Sequence, residues 1–120
     1  MARYDKYEPK AGGFRAPLAT AIAAGQVGNI IGVGLDANGR VDSTNPASGV
    51  LGVLVVDRPM NAGDIVDVMT AGEIVEADGL AAGTVYYADA AAGAVGTDNT
   101  DVRIGHTVEA TRLVVRVIPA

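Results

Sequence analysis

The sequence predicts an all-β domain: a small sandwich or barrel-like body of Gly-turned hairpins with an extended N-terminal arm. Three observations carry that prediction. A hairpin-like pattern is written three times, as a leading Gly, a short β-type apolar run, an Ala/Asp-rich turn with a second Gly, then a Val. The copies occupy residues 28–41, 63–75 and 83–95. Aromatic residues are only 4% of the chain and Trp is absent, so the core falls to Val, Ile, Leu and Ala. Finally, Pro9, Gly12, Gly13 and Pro17 break any helix across residues 1–24, which read as an arm ahead of a body at residues 25–120. The length of 120 residues is that of one domain.

The elements follow in order. Residues 15–23 read as either a first strand or a short helical turn. A strand at 30–35 leads into the turn Asp36-Ala37-Asn38-Gly39, where Asn-Gly is expected to supply two positive-φ positions. Residues 42–48 form a polar loop. Residues 50–57 are a nearly continuous apolar run, the pattern of a central strand covered on both faces. Residues 64–69 and 73–76 are expected to pair around Thr70-Ala71-Gly72. Residues 85–89 and 94–97 form the next hairpin, and residues 103–109 and 112–118 close the domain. In the last strand Leu113, Val115 and Val117 share one face, and Arg112, Val114, Arg116 and Ile118 share the other.

Charge is divided unevenly. Residues 1–27 carry Arg3, Lys6, Lys10 and Arg15 against Asp5 and Glu8, a net of +2, while the remainder carries a net of -7. An acidic body argues against general nucleic-acid binding, which needs a basic face. No stretch is long and apolar enough for a membrane span, and no apolar signal segment is visible near the start. Cys is absent, which removes disulfides and thiolate chemistry. The arm holds Tyr4, Tyr7 and Phe14, most of the aromatics. Together with Arg3, Lys6 and Arg15 these are the candidate partner-binding residues, because Tyr and Arg are typical interface anchors. Fully extended, residues 1–27 reach about 80–90 Å.

Residues suited to catalysis are scarce. His106 is the only histidine and has no local carboxylate cluster. Asp36, Asn38 and Asp42 imitate a calcium loop, but Arg40 takes a ligand position and Gly39 comes too early, so Asx capping of a turn explains them. Asp64 and Asp67, like Glu73 and Glu76, are three apart and fall on opposite strand faces. Gly32-Val33-Gly34 lacks the rest of a phosphate loop, and no G-x-S-x-G elbow occurs. The sequence therefore reads as non-enzymatic, with no catalytic, cofactor-binding or metal residues to nominate.

Several short motifs carry a family likeness in their order and spacing. These are Gly49-Val50-Leu51-Gly52-Val53, Ala62-Gly63-Asp64-Ile65-Val66 and Ala82-Gly83-Thr84-Val85-Tyr86-Tyr87-Ala88-Asp89, then Ile104-Gly105-His106-Thr107-Val108-Glu109-Ala110 and the closing Val114-Val115-Arg116-Val117. From about Gly25 to Val117 the chain resembles the capsid decoration (cement) proteins of tailed bacteriophages. The resemblance implies a β-tulip-like domain, made in the host cytoplasm and added to the outer capsid surface of the virion. It implies the major capsid protein as partner, self-association as a trimer or less readily a dimer, and no cofactor. The segment before about Ala11 matches no motif of that family, so its docking role rests on composition alone. Two other readings suit the same β grammar: a tail, baseplate or head-fibre module, and a small carbohydrate- or peptide-binding β-domain.

Overall fold

Period-two apolar runs give the chain ten strands in the computed structural model, which describes residues 12–77 and 79–118. They are β1 Gly13–Pro17, β2 Ile30–Leu35, β3 Val41–Asp42, β4 Gly52–Val55, β5 Ile65–Met69, β6 Ala71–Ile74, β7 Val85–Ala88, β8 Val95–Gly96, β9 Val102–Glu109 and β10 Arg112–Ile118. A single 3-10 turn, Ala24–Gln26, is the one helical element among the described residues. The strands make two five-stranded sheets, in the orders β1-β5-β4-β2-β3 and β6-β10-β9-β7-β8. Every strand pair in them is antiparallel. The all-β expectation holds.

The first sheet curls around its own core. All five of its strands send side chains to one side, where Phe14, Val33, Val41, Leu54, Val66 and Val68 pack with Leu18, Val56 and Met60. Just past β1, Leu18 bridges to Val41 of β3, and the Ala19 N–H donates to the Val41 carbonyl at 2.9 Å. That bridge brings the two outer strands of the sheet together, so the sheet is a half-barrel. Residues 19–23 run beneath it, with Ile22 and Met60 exchanging backbone hydrogen bonds at 2.9 and 3.0 Å.

The second sheet packs its inner face on the convex side of the first. Ile74, Tyr86, Ala88, Ile104, Leu113 and Val115 meet Val50 and Val53 there, with Ile30 and Met69 at the margin. β4 therefore faces apolar neighbours on both sides, Val53 in the inter-sheet core and Leu54 in the half-barrel, as its unbroken apolar run requires. Burial in β10 also follows the alternation. Leu113 and Val115 are buried, whereas Arg116 and Ile118 are exposed.

Three local expectations need correction. β5 and β6 do not pair with each other: β5 lies between β1 and β4, and β6 joins β10. Only Thr70 separates them, too little for a hairpin turn, so the chain steps from one sheet to the other. The second hairpin pattern is thus a sheet switch. In the β2–β3 turn, Gly39 alone takes a positive φ, at 75°. Asp36 supplies the remaining order, its Oδ1 accepting from the Asn38 and Arg40 N–H groups, each at 2.9 Å. Residues 13–17, inside the stretch 1–24 read as an arm, form β1 and pair with β5 from Gly13↔Met69 to Pro17↔Ile65, so the first strand expected from residue 15 starts earlier and ends at Pro17.

Gly34 shows a close approach that only glycine permits. A Cβ there would land on the Gly49 carbonyl oxygen. The polar loop at 43–49 folds back on β2 at this point, with the Leu35 N–H donating to Ser48 Oγ at 2.8 Å.

Candidate functional site

Several of the described acids order turns. Asp42, Asp89 and Asp98 each accept from the backbone N–H two residues on, at Thr44 (3.0 Å), Ala91 (2.8 Å) and Thr100 (3.0 Å). Asp64 accepts from the Asn61 N–H at 2.9 Å. The Asp98 carboxylate also accepts from the Thr100 hydroxyl at 2.8 Å, and these two bonds hold it below the usual carboxylate range. Desolvation, aided by repulsion from Asp98 and Asp89, pushes Asp101 upward. His106 is exposed on β9, and its cross-strand neighbours are Val85 and Val114. Among the described residues no group of three His, Cys, Asp or Glu side chains is placed to hold a metal ion.

One buried polar cluster fastens a link in place. Thr107, only 2% exposed, donates through Oγ1 to the Ala81 carbonyl and accepts from the Thr84 N–H at 3.0 Å. The Tyr86 hydroxyl accepts from the Ala81 N–H at 2.7 Å. The two side chains hold the segment from Ala81 to Thr84 against the second sheet.

Of the six predicted partner-binding residues, Arg3, Tyr4, Lys6 and Tyr7 lie outside the described residues. Phe14 and Arg15 are adjacent on β1 but face opposite ways. Phe14 packs against the half-barrel core, so its side chain anchors the edge strand. Arg15 points to solvent and meets Asp67 across the ladder at 2.6 Å. Both partners are three-quarters exposed, so the pair adds less than about 1 kcal/mol to stability.

A concavity of the half-barrel lies in the seam between β4 and β5, a feature the sequence reading did not anticipate. These strands share one ladder pair, Val53↔Met69, and part beyond it. The cleft has a volume of about 860 Å³ and reaches from Gly12 and Gly13 to Asp57 and Arg58. Leu54, Met60, Val66 and Val68 form its apolar floor, and Val55 and Ile65, 41% and 60% exposed, stand on its rims. Ladder parity turns backbone groups into it. Asp64 and Thr70 bond to residues beside β1, and Val56 bonds to the β2 side. The groups of Val55, Ile65 and Asp67 consequently face the seam.

A second surface is the outer face of the second sheet. Glu73, Val114, His106 and Val85 lie in one cross-strand row, and Ile118, Arg103 and Tyr87 in another. Arg112 Nε lies 3.3 Å from Glu73 beside the first row, without hydrogen-bond geometry. The face mixes apolar and charged groups.

This fold has a solved counterpart. The chain is similar to a protein chain from Mycobacterium phage Patience, with a TM-score of 0.80 at 20% sequence identity. The match covers 98% of this chain and 96% of that one, so the likeness extends to the whole domain. Comparison with protein-family models and with curated proteins gives no match.

Proposed function

We propose that the chain is a non-catalytic structural protein of a phage virion, which binds the outer capsid surface and cements contacts between major capsid protein subunits. The observation that carries this reading is the shared fold with a phage chain over nearly the full length of both. The order of sequence motifs agrees with it. The quoted segments lie at β4, β5, β7, β9 and β10, so the resemblance runs through both sheets.

The chemistry is compatible. Asp42, Asp89 and Asp98 are engaged in turns, and the seam presents backbone edges and mixed apolar and charged side chains. Such surfaces suit protein contacts. A subunit bound across a joint makes opening that joint cost its binding free energy as well, and each tenfold in affinity adds about 1.4 kcal/mol per site. The arm, with Tyr4, Tyr7 and three cations before residue 12, extends that contact beyond the body.

Co-sedimentation with expanded, DNA-filled heads tests the reading. The full chain is expected to pellet with heads in saturable amounts and to raise the temperature at which they release DNA. No saturable binding, or binding only to tails, overturns it.

A further inference from the structure

We infer that the seam between β4 and β5 is a strand-insertion slot for the N-terminal segment of a second copy of this chain. A sheet opening that presents main-chain groups from both walls above an apolar floor has the features of a site for an added strand. Here Val55 lines one wall, Ile65 and Asp67 the other, with Leu54, Val66 and Val68 below. At a strand spacing of 4.8 Å, a sheet thickness near 10 Å and a rise of 3.3 Å, one strand residue fills roughly 160 Å³. The cleft volume of about 860 Å³ thus holds about five residues.

The position of Gly12 selects the occupant. Gly12 lies at the closed end of the seam, its carbonyl accepting from the Thr70 N–H at 3.0 Å, on the side of β5 away from β4. A strand entering its own seam would have to reverse and cross β5 at once, whereas a neighbour's segment enters freely at the mouth beside Asp57 and Ile65. Residues 1–11 precede Gly12 in the sequence. Residues 1–5 match the slot in length, and the other six span about 20 Å between bodies. Period two sends Ala2 and Tyr4 to the apolar floor and Arg3 and Asp5 to the rim, where Asp67, Asp57, Arg15 and Arg58 offer both signs of charge. Repeated around a ring, this head-to-tail contact closes a cyclic oligomer. The assignment stands apart from the capsid reading, because it concerns copies of the chain in solution.

The absence of Cys makes the test direct. Full-length chains with a single cysteine at position 2, 3, 4 or 5 are mixed with chains carrying Ile65→Cys and oxidised. Val75→Cys, 65% exposed and remote from the slot, replaces Ile65→Cys in the control. Disulfide geometry is narrow, so Asp5→Cys, seated at the mouth beside Ile65, should link to Ile65→Cys at least about five-fold more than Ala2→Cys, Arg3→Cys and Tyr4→Cys do, and more than any links to Val75→Cys. Links that ignore this preference, equal linking to the control, or no interchain link overturn the proposal. So does an Asp5→Cys/Ile65→Cys double variant that oxidises only within one chain.

Discussion

Replacing Thr107 by Val removes one hydroxyl and keeps the branched shape that β9 prefers. The hydroxyl serves two backbone groups from a site only 2% exposed, the Ala81 carbonyl and the Thr84 N–H. Water reaches Ala81, which is exposed, so its carbonyl recovers part of the loss. The Thr84 N–H is partly buried and recovers less. One net hydrogen bond is worth about 1 kcal/mol and a donor left unpartnered about 1–3, so the cost is about 1.5–3 kcal/mol. For a domain of this size that lowers Tm by about 6–12 °C. Thr107→Ser keeps the hydroxyl and loses one buried methyl, for about 1 kcal/mol. Urea unfolding followed by far-UV circular dichroism measures both. A Thr107→Val cost under about 0.5 kcal/mol, or a Ser variant weaker than the Val variant, would refute the clamp.

Other predictions use the same body. Leu113→Ala should lose about 2–5 kcal/mol in that denaturation assay, because Leu113 is fully buried between the sheets, whereas Ile65→Ala should stay within about 0.5. A carboxyl NMR titration should show Asp98 deprotonating at lower pH than Asp101. Thr100→Ala should move Asp98 only partly back, since the larger backbone bond remains. The sign for stability follows: a lowered folded pKa makes Asp98 stabilising above its unfolded value, and that contribution is lost as pH falls through the folded one. Asp101 acts oppositely, its penalty at neutral pH relieved as pH falls through its raised value. Removing residues 1–11 should weaken head binding and, at dilutions where the full chain is unassembled, leave the unfolding midpoint nearly unchanged. Removing residues 1–15 should lower the midpoint too, because it strips Phe14 and part of the β1 ladder.

The parts of the fold legible in the sequence are those whose partners are local. β9 and β10 read clearly because Leu113, Val115 and Val117 alternate and only Ala110 and Thr111 separate the strands. β7 and β8 likewise flank one short turn. β5 and β6 misled because each apolar run reports its own buried face and says nothing of which strand lies beside it. Their partners are far along the chain, as the Arg15–Asp67 contact across 52 residues illustrates. The same nonlocality hid the seam, which exists because β5 spends one edge on β1 and diverges from β4 on the other. At Asp36–Gly39 the turn residues were legible, but the carboxylate of Asp36 does the ordering that Asn38 was expected to do through its φ. Phe14 was legible as a sticky residue. Its role as a core anchor needed the pairing of β1 to appear.

Electron cryo-microscopy of phage heads incubated with the full chain tests the central claim most directly. Added density is expected over the outer shell at the joints between capsid subunits, into which the two-sheet body fits. Density confined to the tail or baseplate, or a bare shell at saturating protein, would contradict it.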